Sequence, residues 1–307
     1  MRISPLALPL GVYLAVLLTA CGSGGSGAAS QRQAGPAAET APTDPRVGLQ
    51  LYSLRDAMAQ DLGAALDSVQ SWGFRYVEDG NDGTYGLPFG EYHALLREHG
   101  LEMVSVSATY AELRDSVQQV VARARAYGAR YAVCFWIPHA DTVLTPIEAE
   151  AAGEVFNAAG AVLAEAGITL AYHPHGYEFG AHPAGGTVLD ALIRDARDYR
   201  FEMDVYWIAV PGQDPLAWLR RYPDAWVLMH LKDCGRGAGR IPTLPHANDV
   251  DWNVTLGTGQ LPIAAVIAEA RRLKIPYLFV EDESARVLEQ AGPSGRYVRA
   301  QLAEAGE

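Results

Sequence analysis

The sequence has little positive charge, and most of that charge is arginine. Its 307 residues include 24 lysines and arginines against 36 aspartates and glutamates, which gives a formal net charge of −12. Only Lys232 and Lys274 are lysines. A protein that binds nucleic acid needs a basic stripe to neutralise phosphates. The sequence contains no such stripe, so the composition argues against a nucleic-acid partner.

Cysteine is also scarce. The three cysteines are Cys21, Cys134 and Cys234. Cys134 and Cys234 fall at the ends of predicted strands that are not neighbours in the sequence. We therefore expect two buried thiols there rather than the disulfide that an exported protein could form.

Residues 22–45 lack large apolar side chains, so this Gly/Ala/Ser/Pro tract cannot bury a core and is predicted to be a flexible tether. It follows an N-terminal arginine and an apolar run too short and broken for a membrane span, which predicts a signal peptide over residues 1–21. An uncleaved anchor helix is the alternative. The run ends in Leu-Thr-Ala-Cys, the lipobox pattern of bacterial lipoproteins, with Cys21 as the lipidated residue. Since Gly22 and Ser23 follow instead of aspartate, we expect export to the periplasmic face of the outer membrane.

Residues 46–307 alternate short β-branched or aromatic runs with amphipathic helical segments. The helical segments stop at glycines, namely Gly73, Gly128 and Gly167. The eight predicted strands cover residues 46–52, 75–79, 102–108, 130–136, 169–175, 200–207, 226–233 and 277–283. Eight strand–helix units in this length predict a single-domain (β/α)8 TIM barrel. The rival, a doubly wound open sheet, requires a glycine-rich phosphate loop after the first strand, and "LQLYSLRDAM" contains no glycine.

Polar and aromatic side chains collect at the carboxyl ends of these strands, where such barrels place their reactive groups. The candidates are Gln50, Tyr52, Glu78, His173, His175, Glu178, Asp204, Trp207, His230, Lys232, Glu281 and Glu283. Two histidines and two carboxylates on different strands suit one divalent ion of Mn, Zn, Co or Fe better than calcium. Alternation along a strand puts His173 and His175 on one face, Glu202 with Asp204, and His230 with Lys232. It leaves open whether His173, His175 or Glu178 is the ligand from the fifth strand.

Seven segments in this order resemble the sugar phosphate isomerase/epimerase superfamily of xylose isomerase-like barrels, in a secreted or lipoprotein branch. They are "GLQLYSLRD", "YVEDG", "AYHPHGYEF", "FEMDVYW", "MHLKD", "LGTGQLPI" and "FVEDE". The resemblance implies one divalent metal ion held by the fifth to eighth strands. Asp204, His230 and Glu281 match the superfamily's ligands, whereas His173 stands where the epimerases have a glutamate. In the epimerases, two metal-bound glutamates move the proton. Because His173 replaces one of them, only Glu281 of that pair remains here.

The resemblance implies an isomerase or epimerase that removes a proton next to a carbonyl of a carbohydrate and forms an enediolate. The predicted catalytic residues are Lys232, Glu178 and Glu281, with His175 and Glu78 as reserve bases. Predicted substrate contacts are Gln50, Tyr52, Glu78, His175 and Trp207. Two alternatives remain open: a lyase or hydrolase of 3-keto glycosides that uses the same proton abstraction, and a sugar-binding lipoprotein without catalysis. The only expected membrane contact is the lipid anchor, and the oligomeric state is left open.

Overall fold

The computed structural model describes residues 45–80, 83–140, 142–235 and 252–304. All of them belong to the compact unit Ala41–Glu307. The predicted signal peptide, lipidation at Cys21 and the tether up to residue 44 lie outside the described residues, so these stay predictions.

Eight parallel strands close into a barrel, and a two-stranded antiparallel pair is added after the seventh. The strands in chain order are β1 Arg46–Gln50, β2 Tyr76–Glu78, β3 Glu102–Ser107, β4 Tyr131–Cys134, β5 Thr169–Tyr172, β6 Tyr199–Asp204, β7 Trp226–Leu231, β8 Asp233–Cys234, β9 Asn253–Val254 and β10 Tyr277–Val280. The barrel order is β1-β10-β7-β6-β5-β4-β3-β2, so consecutive barrel strands are neighbours and β10 closes the ring onto β1. The predicted (β/α)8 fold is confirmed.

Helices connect the strands and cover the outside of the barrel. They are α1 Arg55–Gln60, α2 Leu62–Ser71, α3 Phe89–Glu98, α4 Tyr110–Asp115, α5 Val117–Tyr127, α6 Pro146–Glu165, α7 Val188–Asp195, α8 Val205–Ala209, α9 Pro215–Arg221, α10 Ile263–Arg272 and α11 Val287–Glu304, with short 3-10 helices at Leu51–Leu54 and Tyr177–Phe179. As predicted, glycines with positive φ angles follow α2, α5 and α6, namely Gly73, Gly128 and Gly167. Glycine has no Cβ, so it adopts the left-handed conformation that ends a helix with the smallest steric penalty.

Most predicted strands extend too far at their carboxyl ends. The clearest error is Val205–Trp207, predicted as strand and found as the first turn of α8. The Asp204 side chain accepts a hydrogen bond from the Trp207 amide at 2.9 Å and so starts this helix. The β-branched and aromatic character of the segment reflects its burial rather than an extended backbone.

An apolar layer fills the barrel directly below the predicted site. It comprises Val104, Val133, Ala171, Leu228, Tyr277 and Phe279. Because side chains on a strand alternate, the residues two positions further along also point into the barrel. Those residues include His173 after Ala171, His230 after Leu228 and Glu281 after Phe279. The apolar layer therefore supports the polar one.

A register shift sets the height of the two central side chains. Phe201 pairs with Trp226, but the next residue, Glu202, pairs with Leu228, so β7 carries one extra residue at this point. Asp204 consequently lies opposite His230. An uninterrupted register would have placed it opposite Met229. Such bulges commonly re-aim side chains beside functional sites.

Cys134 and Cys234 are both buried and unpaired, which confirms the expectation of two thiols. Within the described residues, none of the helices combines the length and apolar character needed to cross a bilayer.

Candidate metal centre and pocket

Four of the predicted residues meet at the carboxyl end of the barrel. His173, Asp204, His230 and Glu281 come from four neighbouring strand ends, and each is at most 8% exposed. Asp204 Oδ2 lies 4.0 Å from His173 Nε2 and 4.0 Å from His230 Nδ1. Glu281 Oε2 lies 3.3 Å from the same His230 nitrogen. Ligand atoms of a tetrahedral zinc site, each about 2.1 Å from the ion, lie about 3.4 Å apart. His173, Asp204 and His230 each place one ligand atom within 4.8 Å of the others, which is close to that spacing, and Glu281 adjoins the group at His230.

The two carboxylate oxygens of Asp204 have different surroundings. Oδ1 caps α8 through the Trp207 amide, whereas Oδ2 is buried with no hydrogen-bond partner among the residues that the structure describes. A buried carboxylate oxygen without a partner is energetically unfavourable, and a bound cation removes that penalty. Both the capping role and a ligand role are therefore open to Asp204 at once.

Below these four residues lie two further carboxylates, Glu78 and Glu202, neither of which is exposed. Glu202 Oε2 is 3.0 Å from His173 Nδ1 and 3.3 Å from His230 Nε2. Glu202 was not predicted as a site residue, although alternation along its strand places it on the same face as Asp204. That shared face is the signal that could have identified it.

Glu78, a predicted substrate contact, does not lie in the pocket. It accepts hydrogen bonds from Gln50 at 3.1 Å and from the Ser105 hydroxyl, and it lies 2.5 Å from His230 Nε2. It is fully buried and is not among the residues that line the pocket described below. Its position is that of a support for His230 rather than of a group that touches a ligand.

Burial and neighbouring charges shift the pKa values of the three histidines in opposite directions, down for His173 and His175 and up for His230. Burial, reinforced by the other two histidines, lowers the pKa of His173 well below its usual value. Burial lowers the pKa of His175 to about 4. Although burial alone would lower the pKa of His230, the surrounding carboxylates, above all Glu202 and Glu281, raise it well above 6.5. His173 and His175 are thus neutral near pH 7 and keep a lone pair for a ligand or a proton.

The carboxylates are also perturbed. Burial, reinforced by Glu281, raises the pKa of Asp204 to about 7. Glu281 behaves in the opposite way, because Lys232 and His230 outweigh its burial and hold its pKa well below the usual range. Perturbed groups of this kind that share one pocket are typical of functional sites.

Lys232 does not have the environment expected of a neutral base. Its ammonium forms an ion pair with Glu283 and lies 3.6 Å from Glu281 Oε2. It also lies 5.5 Å from the centre of the Trp207 ring. Although burial would lower the pKa of Lys232, the two glutamates raise it. These two carboxylates favour the protonated, cationic form of Lys232. A catalytic role for Lys232 stays a prediction.

Glu178 is turned away from the centre. Its carboxylate accepts hydrogen bonds from the Tyr172 hydroxyl and from the amides of His175 and Gly176, the latter two at 3.1 and 2.9 Å. It is fully buried and is not a lining residue of the pocket. These contacts fix the loop that carries His175, so the placement does not fit the predicted roles of base or metal ligand.

A cavity of about 550 Å³ opens onto three of the four central residues, His173, His230 and Glu281. The described residues that line it are Gln50, Tyr52, Gly80, Ser107, Ala108, Thr109, Tyr110, Ala111, Phe135, Trp136, Pro138, His173, His175, Trp207, His230, Glu281 and Glu283. The predicted substrate contacts Gln50, Tyr52, His175 and Trp207 are all among them. Aromatic walls around a polar floor are the usual composition of a small-molecule site.

Residues 66–302 match the family described as the xylose isomerase-like TIM barrel. The chain is also similar to a sugar phosphate isomerase/epimerase from Parabacteroides distasonis ATCC 8503, with a TM-score of 0.69 and 22% identity over 86% of this chain and 98% of the other. An L-ribulose 3-epimerase matches with a TM-score of 0.63 and 13% identity over 85% and 96%. A structure of the IOLI protein with a bound zinc atom matches with a TM-score of 0.61 and 11% identity over 85% and 97%. Among curated proteins there is no match.

Proposed function

Because this chain belongs to the xylose isomerase-like TIM barrel family, we propose that it is a sugar isomerase or epimerase that depends on one divalent metal ion. The proposed ligands are His173, Asp204, His230 and Glu281. The names of the similar structures, which include a sugar phosphate isomerase/epimerase and an L-ribulose 3-epimerase, support a carbohydrate as the substrate.

The observation that carries the metal proposal is the buried Asp204 Oδ2, which has no hydrogen-bond partner within the described residues and faces two histidine nitrogens at 4.0 Å. Two imidazole nitrogens and two carboxylate oxygens suit Mn, Zn, Co or Fe. A zinc atom bound in one similar structure is consistent with this set. The residues present therefore fit a divalent ion.

When bound, the ion would act as a Lewis acid that polarises neighbouring sugar oxygens and acidifies the C–H between them. The chain itself supplies the groups that move the proton. Glu281 lines the pocket as a carboxylate, and His175 lines it as a neutral imidazole whose Nδ1 is buried without a partner among the described residues. Both can accept a proton, whereas Lys232 as a cation can stabilise negative charge. Tyr52 and Trp207 offer aromatic faces to a sugar ring.

Proton exchange with the solvent tests the proposal directly. We expect the metal-loaded protein in deuterated water to exchange a carbon-bound proton of at least one sugar in a panel of aldoses, ketoses and 3-keto glycosides. Replacing His173→Ala should slow the exchange at least about 100-fold, since Lewis-acid polarisation contributes several kcal/mol. Mass spectrometry and proton NMR of the recovered sugars measure both the exchange and any product.

His182→Ala is the matched control, because His182 is only partly buried and is not a lining residue of the pocket. It should exchange at the parent rate. Exchange accompanied by an epimer or isomer supports the proposed activity, whereas release of an aglycone from a 3-keto glycoside would favour the lyase alternative. Sugar binding without exchange under every metal loading would contradict the enzyme and favour the sugar-binding lipoprotein.

We further propose that the protein is exported and held at the periplasmic face of the outer membrane by lipid on Cys21. The Leu-Thr-Ala-Cys motif and the tether that follows it support this proposal. Metabolic labelling with a fatty-acid analogue should label the parent, and Cys21→Ser should lose both the label and membrane fractionation. Equal labelling of the two proteins would contradict the anchor.

A further inference from the structure

Each of the two histidines of the proposed centre has one ring nitrogen that faces Asp204 or Glu281, called the upper nitrogen, and one that faces Glu202 or Glu78, called the lower nitrogen. His173 directs Nε2 to Asp204 Oδ2 at 4.0 Å and Nδ1 to Glu202 Oε2 at 3.0 Å. His230 directs Nδ1 to Glu281 Oε2 at 3.3 Å and Nε2 to Glu78 Oε1 at 2.5 Å. The two histidines thus use opposite nitrogens toward the centre. Glu202 is the carboxylate closest to the lower nitrogen of His173, and Glu78 is the one closest to that of His230.

A neutral imidazole has one protonated nitrogen and one lone pair, and only the lone pair can bind a metal ion. Which nitrogen carries the proton is set by the hydrogen bond that it donates. A carboxylate below the ring keeps the proton on the lower nitrogen and leaves the upper one available. In this chain that condition requires Nδ1–H on His173 and Nε2–H on His230.

We propose that Glu202 and Glu78 are positioning residues that fix which nitrogen His173 and His230 present to the metal ion. The inference rests on the proposed function, because it takes these two histidines as ligands. Neither glutamate lines the pocket, so neither acts on the substrate directly.

The surroundings of the two glutamates suit this role. Both are fully buried, so water does not compete for the histidines. Gln50 and Ser105 hold the Glu78 carboxylate from its other sides. Glu202 stands at the register shift between β6 and β7, which brings its Oε2 to within 3.3 Å of His230 Nε2 as well. Glu202 therefore contacts both rings, and its removal should have the larger effect.

The test compares Zn²⁺ affinity in Glu202→Leu and Glu202→Gln, measured by competition with a chelator. Loss of an outer carboxylate that orients a ligand typically weakens binding by about 10–100-fold, which we expect for Glu202→Leu. Glu202→Gln keeps an acceptor oxygen for His173 Nδ1–H and should fall between Glu202→Leu and the parent. Glu178→Gln is the matched control, since this glutamate is equally buried but has no contact with either histidine side chain, and it should keep the parent affinity.

A second measurement separates positioning from metal binding. Long-range proton–nitrogen NMR of the metal-free protein should find His173 protonated on Nδ1 in the parent and in Glu202→Gln, and shifted toward Nε2–H in Glu202→Leu. If NMR gives this pattern but the parent binds no Zn²⁺, the metal proposal is contradicted, while Glu202 is still the group that sets the tautomer of His173.

Three outcomes would overturn the positioning role. The first is Nε2–H on His173 in the parent. The second is equal Zn²⁺ affinity in the parent and Glu202→Leu. The third is two bound ions per chain with one lost in Glu202→Leu, because Glu78, Glu202 and His230 are also close enough to one another to hold an ion. That result would make the glutamates ligands of a second site.

Discussion

Asp204→Asn is expected to lower the affinity for a divalent ion by about 100- to 1,000-fold. An apparent binding free energy of about 10–16 kcal/mol shared among four ligands leaves about 2.5–4 kcal/mol for each. The substitution is selective, because asparagine can still cap α8 with its side-chain oxygen at the Oδ1 position while it removes the negative charge from the unpartnered Oδ2. Metal content of the purified protein and calorimetric titration measure the effect.

Asp214→Asn provides the control for the capping role. Asp214 also caps a helix, with its Oδ1 accepting from the Leu216 amide at 2.9 Å, but it has no part in the centre. It should keep the parent metal affinity. Asp204→Ala should match Asp204→Asn in metal affinity and lose about 1 kcal/mol more of folding stability, the usual cost of a lost cap. Parent-like affinity in Asp204→Asn would show that Asp204 is a capping residue alone.

Glu178→Gln is expected to gain up to about 3 kcal/mol of unfolding free energy relative to the parent as the pH rises from below 4.5 to above 7. Burial raises the pKa of Glu178 from 4.5 to about 7. Because the folded-state pKa lies above the unfolded one, the carboxyl contributes its stability in full at low pH and loses it as the pH rises through 7. Each unit of pKa difference corresponds to about 1.4 kcal/mol, which gives the stated total.

Denaturant unfolding of both proteins at several pH values measures this difference. At low pH the variant should be the less stable of the two. Its side-chain NH2 group must face a backbone N–H that donates a hydrogen bond to an oxygen of Glu178 in the parent. The comparison cancels the contributions of other titrating groups, including Asp204. A constant difference across this pH range would mean that Glu178 is ionised in both states, with a pKa that folding does not raise.

The sequence by itself determined the barrel and the side chains at its carboxyl end. Helix-ending glycines and alternation along strands are local properties, so they could be read without knowing what packs against them. The same alternation brought His173, Asp204, His230 and Glu281 to one end, because the inward-facing residues of parallel strands end at the same edge. Strand length was less predictable, since buried Val205–Trp207 has strand-like composition in either conformation.

Only the tertiary structure decided what each ionisable group can do. The extra residue in β7 puts Asp204 opposite His230, and no pattern in the sequence marks that shift. Lys232 is held as a cation by Glu281 and Glu283, which follow it by about fifty residues. Glu78 reaches His230 across 152 positions of the chain. Charge state and hydrogen bonding depend on burial and on distances of a few ångströms, and these are set by folding rather than by sequence neighbours.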